Sequence, residues 1–363
     1  MKRLTSIVLL ALLLAVLGLC ACAGSPADSS GSTGSESAST DVVNTDAQAA
    51  NKPGSGDSAD DQDAERAAAE AEADALRIGS MKGPTSVGLA HMMQLEQGEF
   101  TVVAAADELT GLLLQDELDI ALVPANVAAL LYQRTEGQIQ VIDVNTLGVL
   151  YGVSLDGSIS SVEDLYGRTV YMTGKGTVPE YTFAALLEAA GMTAEDVTIQ
   201  FCSEPAEVAA QIAQHSDAVG ILPQPYATAI TIKNSDMNIV LDLNEAWIEL
   251  TGGALGDFVT GVTVAKTATI QEHQAVIDLF LQRHEQSAAA ANADPASVAQ
   301  TVAELGIIES ESLAEQAIPR CNVVCLVGDS MKEVLSGYLE CLYQQNPESV
   351  GALPDDSFYY GCA

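Results

Sequence analysis

Four short stretches combine glycine or proline with lysine, hydroxyl or amide side chains in a way suited to holding a small polar molecule. They are Met81-Lys82-Gly83-Pro84-Thr85-Ser86, Pro124-Ala125-Asn126, Thr173-Gly174-Lys175-Gly176-Thr177-Val178-Pro179-Glu180 and Leu222-Pro223-Gln224-Pro225-Tyr226. Each follows a run of β-forming residues and precedes a helix pattern. The first backbone amides of such a helix are unpaired and carry partial positive charge, so they receive an anionic or acceptor-rich group. Lys82 and Lys175 are two of only 14 basic residues, and both sit beside glycines. The Asn126 and Gln224 amides suit a neutral heterocycle equally well. Any one of these stretches is explained as a turn that needs glycine or proline for backbone reasons. Four of them at the same ends of strands point to a cleft. The predicted ligand contacts are Lys82, Gly83, Thr85, Ser86, Ala125, Asn126, Thr173, Gly174, Lys175, Gly176, Thr177, Pro223 and Gln224.

Catalytic patterns are missing. There is no His-Glu-x-x-His, no Gly-x-Ser-x-Gly and no complete phosphate loop. Gly174-Lys175-Gly176-Thr177 copies the end of such a loop, but Thr169 stands where its first glycine belongs. Of the four histidines, His91, His215 and His273 fall in or at the ends of helix patterns, and His284 completes the set. No catalytic residue, cofactor or metal ligand is assigned. Behind the leader stand Cys202, Cys321, Cys325, Cys341 and Cys362, an odd number with no zinc-type spacing. Cys202 reads as a small buried hydrophobe. Whether one bridge forms among Cys321, Cys325, Cys341 and Cys362 stays open.

The elements that must position these loops alternate. Strands are predicted over 76–80, 100–105, 119–123, 139–144, 169–172, 197–202, 218–222, 238–243 and 259–265. Helices are predicted over 84–96, 108–116, 125–134, 179–190, 205–215, 225–233, 271–291, 295–305, 312–317 and 331–345, with a further helix start at 160–165. This alternation implies an α/β fold with mostly parallel sheets. A longer extended run over 147–155 leaves the first set, and the chain returns to it near Thr260. Two lobes joined by two crossings enclose a cleft, and open α/β sheets receive ligands at the carboxyl ends of their strands. The crossings, near 148–155 and 245–260, serve as hinges. Trp247, the single tryptophan, lies by the second crossing and either lines the cleft or packs behind it.

Ahead of the folded part, Lys2 and Arg3 precede an apolar run over 7–19 that ends in Leu19-Cys20-Ala21-Cys22. This is the pattern of a secretory signal peptide, and the run falls short of the roughly 20 residues that span a bilayer. Leu19, Ala21 and Cys22 fit a lipobox, in which cleavage leaves Cys22 to carry a diacylglyceryl anchor. The alternative cut before Cys20 puts the bulky Leu19 next to the scissile bond. Residues 1–21 are therefore read as signal peptide, and 22–75 as a lipidated, disordered linker. The linker is rich in Ser, Gly, Ala, Asp and Glu, too polar to bury a core. Its Ala/Glu-rich end, 63–75, is suited to a loose helix. The body then divides into a first part of lobe 1 (76–155), lobe 2 (156–245) and a return through the hinge to the rest of lobe 1 (246–363). A formal charge of −36, from 14 basic and 50 acidic residues, argues against nucleic acid and against adsorption to anionic lipid. It leaves the sign of the ligand open, because a local field in a cleft can oppose the net charge.

Several segments resemble the ABC-transporter solute-binding proteins of the nitrate/sulfonate/taurine/thiamine-precursor type. They are Leu76-Arg77-Ile78-Gly79-Ser80-Met81-Lys82-Gly83-Pro84-Thr85-Ser86, Asp164-Leu165-Tyr166-Gly167-Arg168-Thr169-Val170 and the stretch from Thr173 to Tyr181. Ile221-Leu222-Pro223-Gln224-Pro225-Tyr226 and Phe258-Val259-Thr260-Gly261-Val262 add to these, as do Ala317-Ile318-Pro319-Arg320-Cys321-Asn322 and the stretch from Leu353 to Tyr360. The resemblance implies a periplasmic-binding-protein type II fold: two α/β lobes joined by two crossover hinges, closing like a jaw on a small molecule. It further implies a monomer, lipid-anchored on the extracytoplasmic face of the cell membrane, that delivers its solute to an ABC permease and its ATPase subunit. The same superfamily includes thiamine-pyrimidine synthases, but the cysteine-rich cluster of those enzymes has no counterpart here. A ligand-sensing or adhesive surface lipoprotein on the same fold is the other reading.

Overall fold

The computed structural model describes residues 59–362. The expected signal peptide, the lipidation site Cys22 and the first part of the expected linker lie outside the described residues. Within the span expected as linker, the strong helix formers Ala and Glu build α1 (Ala59–Asp74). Its last turn is fastened to the body. Ala73 is buried, the Asp74 carboxylate meets Arg283 Nη1 at 2.8 Å, and Glu72 pairs with His273.

The chain then lays down β1 (Arg77–Met81), α2 (Pro84–Val87), α3 (Ala90–Gln94), β2 (Glu99–Val103), α4 (Ala106–Leu114), β3 (Ile120–Pro124), α5 (Ala125–Arg134) and β4 (Ile139–Leu147). Gly148 and Val149 carry it into the second lobe. There it forms β5 (Leu150–Ser154), β6 (Thr169–Met172), α6 (Val178–Ala189), β7 (Thr198–Phe201), α7 (Pro205–Gln214), β8 (Val219–Pro223), α8 (Tyr226–Lys233), β9 (Asn238–Asp242) and α9 (Leu243–Thr251). The return adds β10 (Val259–Lys266), α10 (Thr267–Glu272), α11 (Gln274–Ala293), α12 (Pro295–Glu304), α13 (Glu311–Ala317), β11 (Val323–Leu326) and α14 (Gly328–Gln345). Among the described residues no helix is long and apolar enough to cross a membrane.

The strands form two sheets, ordered β11-β4-β10-β3-β1-β2 and β7-β6-β8-β5-β9. The sheets are mixed rather than mostly parallel. In lobe 1, β1 runs parallel to β2 and β3, whereas β10 runs antiparallel to β3 and β4. In lobe 2, β6 runs parallel to β7 and β8, whereas β5 runs antiparallel to β8 and β9. The reversed members β5 and β10 each enter from the opposite lobe, so they run against strands that start at the far end of the sheet. That reversal has a functional consequence. The carboxyl ends of β3, β6 and β8 and the amino ends of β5 and β10 all face the gap between lobes.

Several elements differ from their sequence-based expectation. The helix expected over 84–96 breaks into α2 and α3 at Gly88, where an added Cβ would lie 3.2 Å from His284 Nε2 of α11. The helix expected from 271 is two, α10 and α11, with His273 leaving helical geometry between them. The start at 160–165 yields a single 3₁₀ turn, Val162–Leu165, held by reciprocal bonding between Ser161 and Asp164. The second crossing, expected as hinge, contains α9, which the Asp242 carboxylate caps by accepting from the amides of Asn244 and Glu245 at 2.9 and 3.2 Å. The five cysteines of the described residues are all free thiols.

The crossings meet at Gly148. Its amide donates to Asn244 Oδ1 (3.1 Å) and its carbonyl accepts from Asn322 Nδ2 (2.5 Å). A Cβ there would collide with the Phe258 ring and reach 2.8 Å from Asn244 Oδ1, so only glycine fits without a shift. Trp247, Phe258 and Tyr338 pack as one buried aromatic cluster, with centroids 5.8–6.0 Å apart. Such pairs stabilise by about 0.5–1.5 kcal/mol beyond their area. α14 packs on α5, β4 and β10 of lobe 1 and also on α6 of lobe 2. There Tyr338 shares a 2.8 Å hydrogen bond with Thr182, and just beyond the helix Asn346 Nδ2 donates to Tyr181 Oη at 2.6 Å. Residues of the last segment thus touch both lobes.

Candidate ligand-binding cleft

The two sheets deliver their loops to one place through register. In lobe 1, Gly261 of β10 pairs with Pro124 of β3, which sets Thr260 beside the start of α5. In lobe 2, Leu150 of β5 pairs with Pro223 of β8. Between them lies a cavity of about 520 Å³, within the 300–1,000 Å³ range of small-molecule sites.

Two helix N-termini face it. α5 begins at Ala125 after Pro124, which has no side-chain acceptor to cap the first amides. α6 begins at Val178 after Thr177, whose hydroxyl turns back to donate to the Gly174 carbonyl (2.6 Å), so no side chain caps the helix. Gly174 and Gly176, at φ +86° and +72°, allow the tight turn that aims this end at the cavity. Glu180 closes the turn by accepting from the Gly176 amide (2.5 Å). One end of the cavity therefore meets the first amides of α5 from lobe 1 and the Val178 amide of α6 from lobe 2; Pro179 has no N–H, and the Gly176, Thr177 and Glu180 amides are bonded within the turn.

The rest of the wall is apolar. Leu130, Val149, Leu150, Tyr181, Phe258 and Tyr338 supply most of it, with the hydroxyls of Thr173, Thr260 and Ser349 among them. Burial pushes the Tyr338 phenol far above its usual pKa, so it stays protonated. Glu348 is the one ionisable carboxylate among the lining residues. Trp247 is wholly buried and lies one layer behind, against Phe258 and Tyr338.

Of the residues selected from sequence, Ala125, Asn126, Thr173, Gly176, Thr177 and Pro223 line the cavity. Asn126 Nδ2 also donates to the Ser349 carbonyl at 3.2 Å, tying α5 to the segment after α14. The others stand elsewhere. Ser86 donates to the Met81 carbonyl and shares a bond with Ser80, both at 2.5 Å, and Thr85 donates to the Met81 carbonyl at 3.3 Å. Both hydroxyls are buried inside their own turn, beside Gly83. Lys82 is exposed. Gly174 shapes its loop without lining the cavity, and exposed Lys175 sits 5.6 Å from the centre of the Phe201 ring. Gln224 is buried next to Pro223; its Oε1 accepts from Thr228 Oγ1 (2.9 Å), and its Nε2 has no protein partner.

Sequence reasoning missed the apolar wall. Tyr181 and Phe258 stood inside quoted segments, but nothing marked their side chains as cavity-facing. Tyr338 and Ser349 come from a C-terminal stretch whose approach to both lobes depends on the tertiary fold.

Comparison with solved structures places the chain among binding-protein folds. It superposes on an ABC transporter protein from Parabacteroides distasonis with a TM-score of 0.66 at 23% identity, covering 79% of this chain and 98% of that one. The periplasmic aliphatic sulphonate binding protein SsuA from Escherichia coli matches with a TM-score of 0.62 at 17% identity, over 79% of this chain and 92% of that one. The alkanesulfonate-binding protein SsuA from Xanthomonas axonopodis pv. citri, bound to MOPS, gives 0.53 at 16% identity, over 78% and 95%. At these identities the likeness establishes the periplasmic-binding-protein fold alone. Comparison with curated protein sequences gives no match. Residues 76–322 match the family model described as menaquinone biosynthesis. That span runs from the residue before β1, through both crossings and all of lobe 2, to the residue before β11, and the chain belongs to the menaquinone biosynthesis family.

Proposed function

We propose that this protein is an extracytoplasmic solute-binding protein that closes its lobes on a small molecule and hands it to an ABC permease. The observation that carries this reading is the cavity itself, walled by both lobes at the crossings, with one uncapped helix N-terminus from each. Ligand contacts made from both sides favour the closed arrangement, and the difference in affinity between open and closed states drives the shift. The chemistry of the wall refines the solute. The end formed by the α5 amides and the Val178 amide takes a carboxylate, sulfonate or similar acceptor group, and the apolar wall takes a hydrocarbon or aromatic body. A bare inorganic anion such as nitrate would leave most of the cavity unfilled. The lipobox at Cys22 supports a lipid anchor on the outer face of the membrane. Replacing Cys22 by Ser should then abolish acyl labelling and release the protein from membranes.

The family's description supports a second reading, a chemical step in menaquinone biosynthesis performed on the same bound molecule. Any proton transfer there would fall to Glu348, the carboxylate at the cavity. One experiment separates the two. The full-length protein is screened by thermal shift against aliphatic and aromatic carboxylates and sulfonates, with nitrate, taurine and pyrimidines alongside. Ligand at 100 times its dissociation constant stabilises by about 2.7 kcal/mol, a shift of several degrees. Mass spectrometry of each hit after incubation then tests for change. An unaltered hit fits a binding protein, and a converted one fits an enzyme. No stabilisation by any member of the panel would count against the solute class deduced here.

A further inference from the structure

A second group of chemically capable side chains lies in lobe 1, among residues that do not line the cavity. Asp143 of β4, His284 of α11 and Cys325 of β11 each place a donor atom within 4.8 Å of the other two. Asp143 and His284 are wholly buried, and Cys325 is partly so. The geometry points to a site for a single divalent transition-metal ion of the zinc type, held by the Asp143 carboxylate, a His284 ring nitrogen and the Cys325 sulfur.

The donor set carries the identity of the ion. One thiolate, one imidazole and one carboxylate form the mixed sulfur, nitrogen and oxygen set that zinc accepts, whereas calcium and magnesium select oxygen alone. Three protein ligands leave a fourth position for water, as in open zinc sites. The spacing is near that of a shared ion: Asp143 Oδ2 and His284 Nδ1 are 3.1 Å apart. The supporting shell is in place. Asp143 Oδ1 accepts from Thr263 Oγ1 (2.8 Å), which in turn accepts from Asn145 Nδ2 (3.1 Å). Such outer bonds fix the orientation of a ligating carboxylate. The other ring nitrogen, His284 Nε2, is buried with no protein partner. Nε2 lies toward Gly88, so the ion would be held through Nδ1. An entry path exists too. Cys325 lines a surface hollow of about 230 Å³ with Asp278 and Glu285, whose carboxylates draw cations toward it. A bound ion would fasten α11 and β11 to β4, the strand that leads into Gly148.

Cobalt(II) is the probe. The full-length protein, stripped with chelator, is titrated with Co²⁺ and read for thiolate-to-cobalt charge-transfer absorption in the near ultraviolet. One equivalent should saturate the band, and Zn²⁺ should abolish it. Cys325→Ser should remove it, and Thr263→Val should weaken cobalt binding by about 10- to 100-fold. A second readout needs no variant. In the wild type, Zn²⁺ should slow alkylation of Cys325 by iodoacetamide while leaving the partly exposed Cys202 and Cys362 unaffected. Absence of a stoichiometric band, a band that survives Cys325→Ser, or equal alkylation of Cys325 with and without Zn²⁺ would overturn the assignment and leave a hydrogen-bonded Asp–His pair beside a thiol bonded to the Leu281 carbonyl.

Discussion

The turn after β1 and the turn after β6 are built from the same ingredients and do different work. Both follow a parallel strand, both carry a lysine among glycines, and both lead into a helix through threonine and proline. After β1, Thr85 and Ser86 are buried and bonded to Met81 and Ser80, so their hydroxyls are occupied in closing the turn. After β6, Thr177 is exposed, its hydroxyl bonds within the loop, and the Val178 amide at the start of α6 is left at the cavity. A strand–loop–helix turn comes to line the cavity only where its sheet register brings the helix end to the gap.

The comparison can be broken directly. Thr177→Phe puts a ring into the cavity and should weaken binding of any ligand by about 100-fold, near 2.7 kcal/mol, with the melting temperature of the unliganded protein nearly unchanged. Calorimetric titration checks the affinity. Ser86→Ala should do the reverse. It leaves buried Ser80 without its partner and should cost about 1–3 kcal/mol of stability in a denaturant melt, with affinity held within about twofold. If Ser86→Ala weakened binding as much as Thr177→Phe, the two turns would be equivalent and the assignment wrong. The lysines sharpen the contrast further. Lys82→Ala and Lys175→Ala should each change affinity by about threefold or less, because neither lines the cavity and exposed charges are screened by salt.

The smallest effect concerns acid. Asp156 in lobe 2 is held down to about 2, chiefly by hydrogen bonds from Ser158 and then by Arg168. Asp119 in lobe 1 is also held below the usual carboxylate range, its burial outweighed by bonds from Arg77. A depressed carboxylate contributes stability that is complete above its unfolded pKa, about 3.9, and is lost as pH falls through its folded value. Acid titration of the melt should therefore steepen below about pH 4, and Asp156→Asn should flatten that slope slightly.

The sequence was legible where one element decides its own form. Apart from β11, the strands of both lobes fall within a few residues of their expected positions, because Val- and Ile-rich runs between turn residues specify strands locally. The close approach at Gly88 was not legible, since its partner His284 stands almost 200 residues later in the chain. Neither was α9, whose capping Asp242 lay in the expected strand 238–243 and whose amphipathic run enters the segment assigned to the crossing. The cleft divided in the same way. Loops at strand ends were visible as glycine, proline and hydroxyl clusters. Which hydroxyls are already bonded, and which apolar residues of α14 reach the gap, depend on contacts between distant segments.

Hydrogen exchange by mass spectrometry, with and without a saturating hit from the thermal screen, tests the central claim most directly. The account predicts that ligand protects both lobes at once, at the start of α5, in the loop from Thr173 to Pro179 and around Phe258 to Thr260, while the turn carrying Lys82 and Ser86 stays unchanged. Protection confined to one lobe, or centred on Lys82 to Ser86, would contradict capture between the lobes.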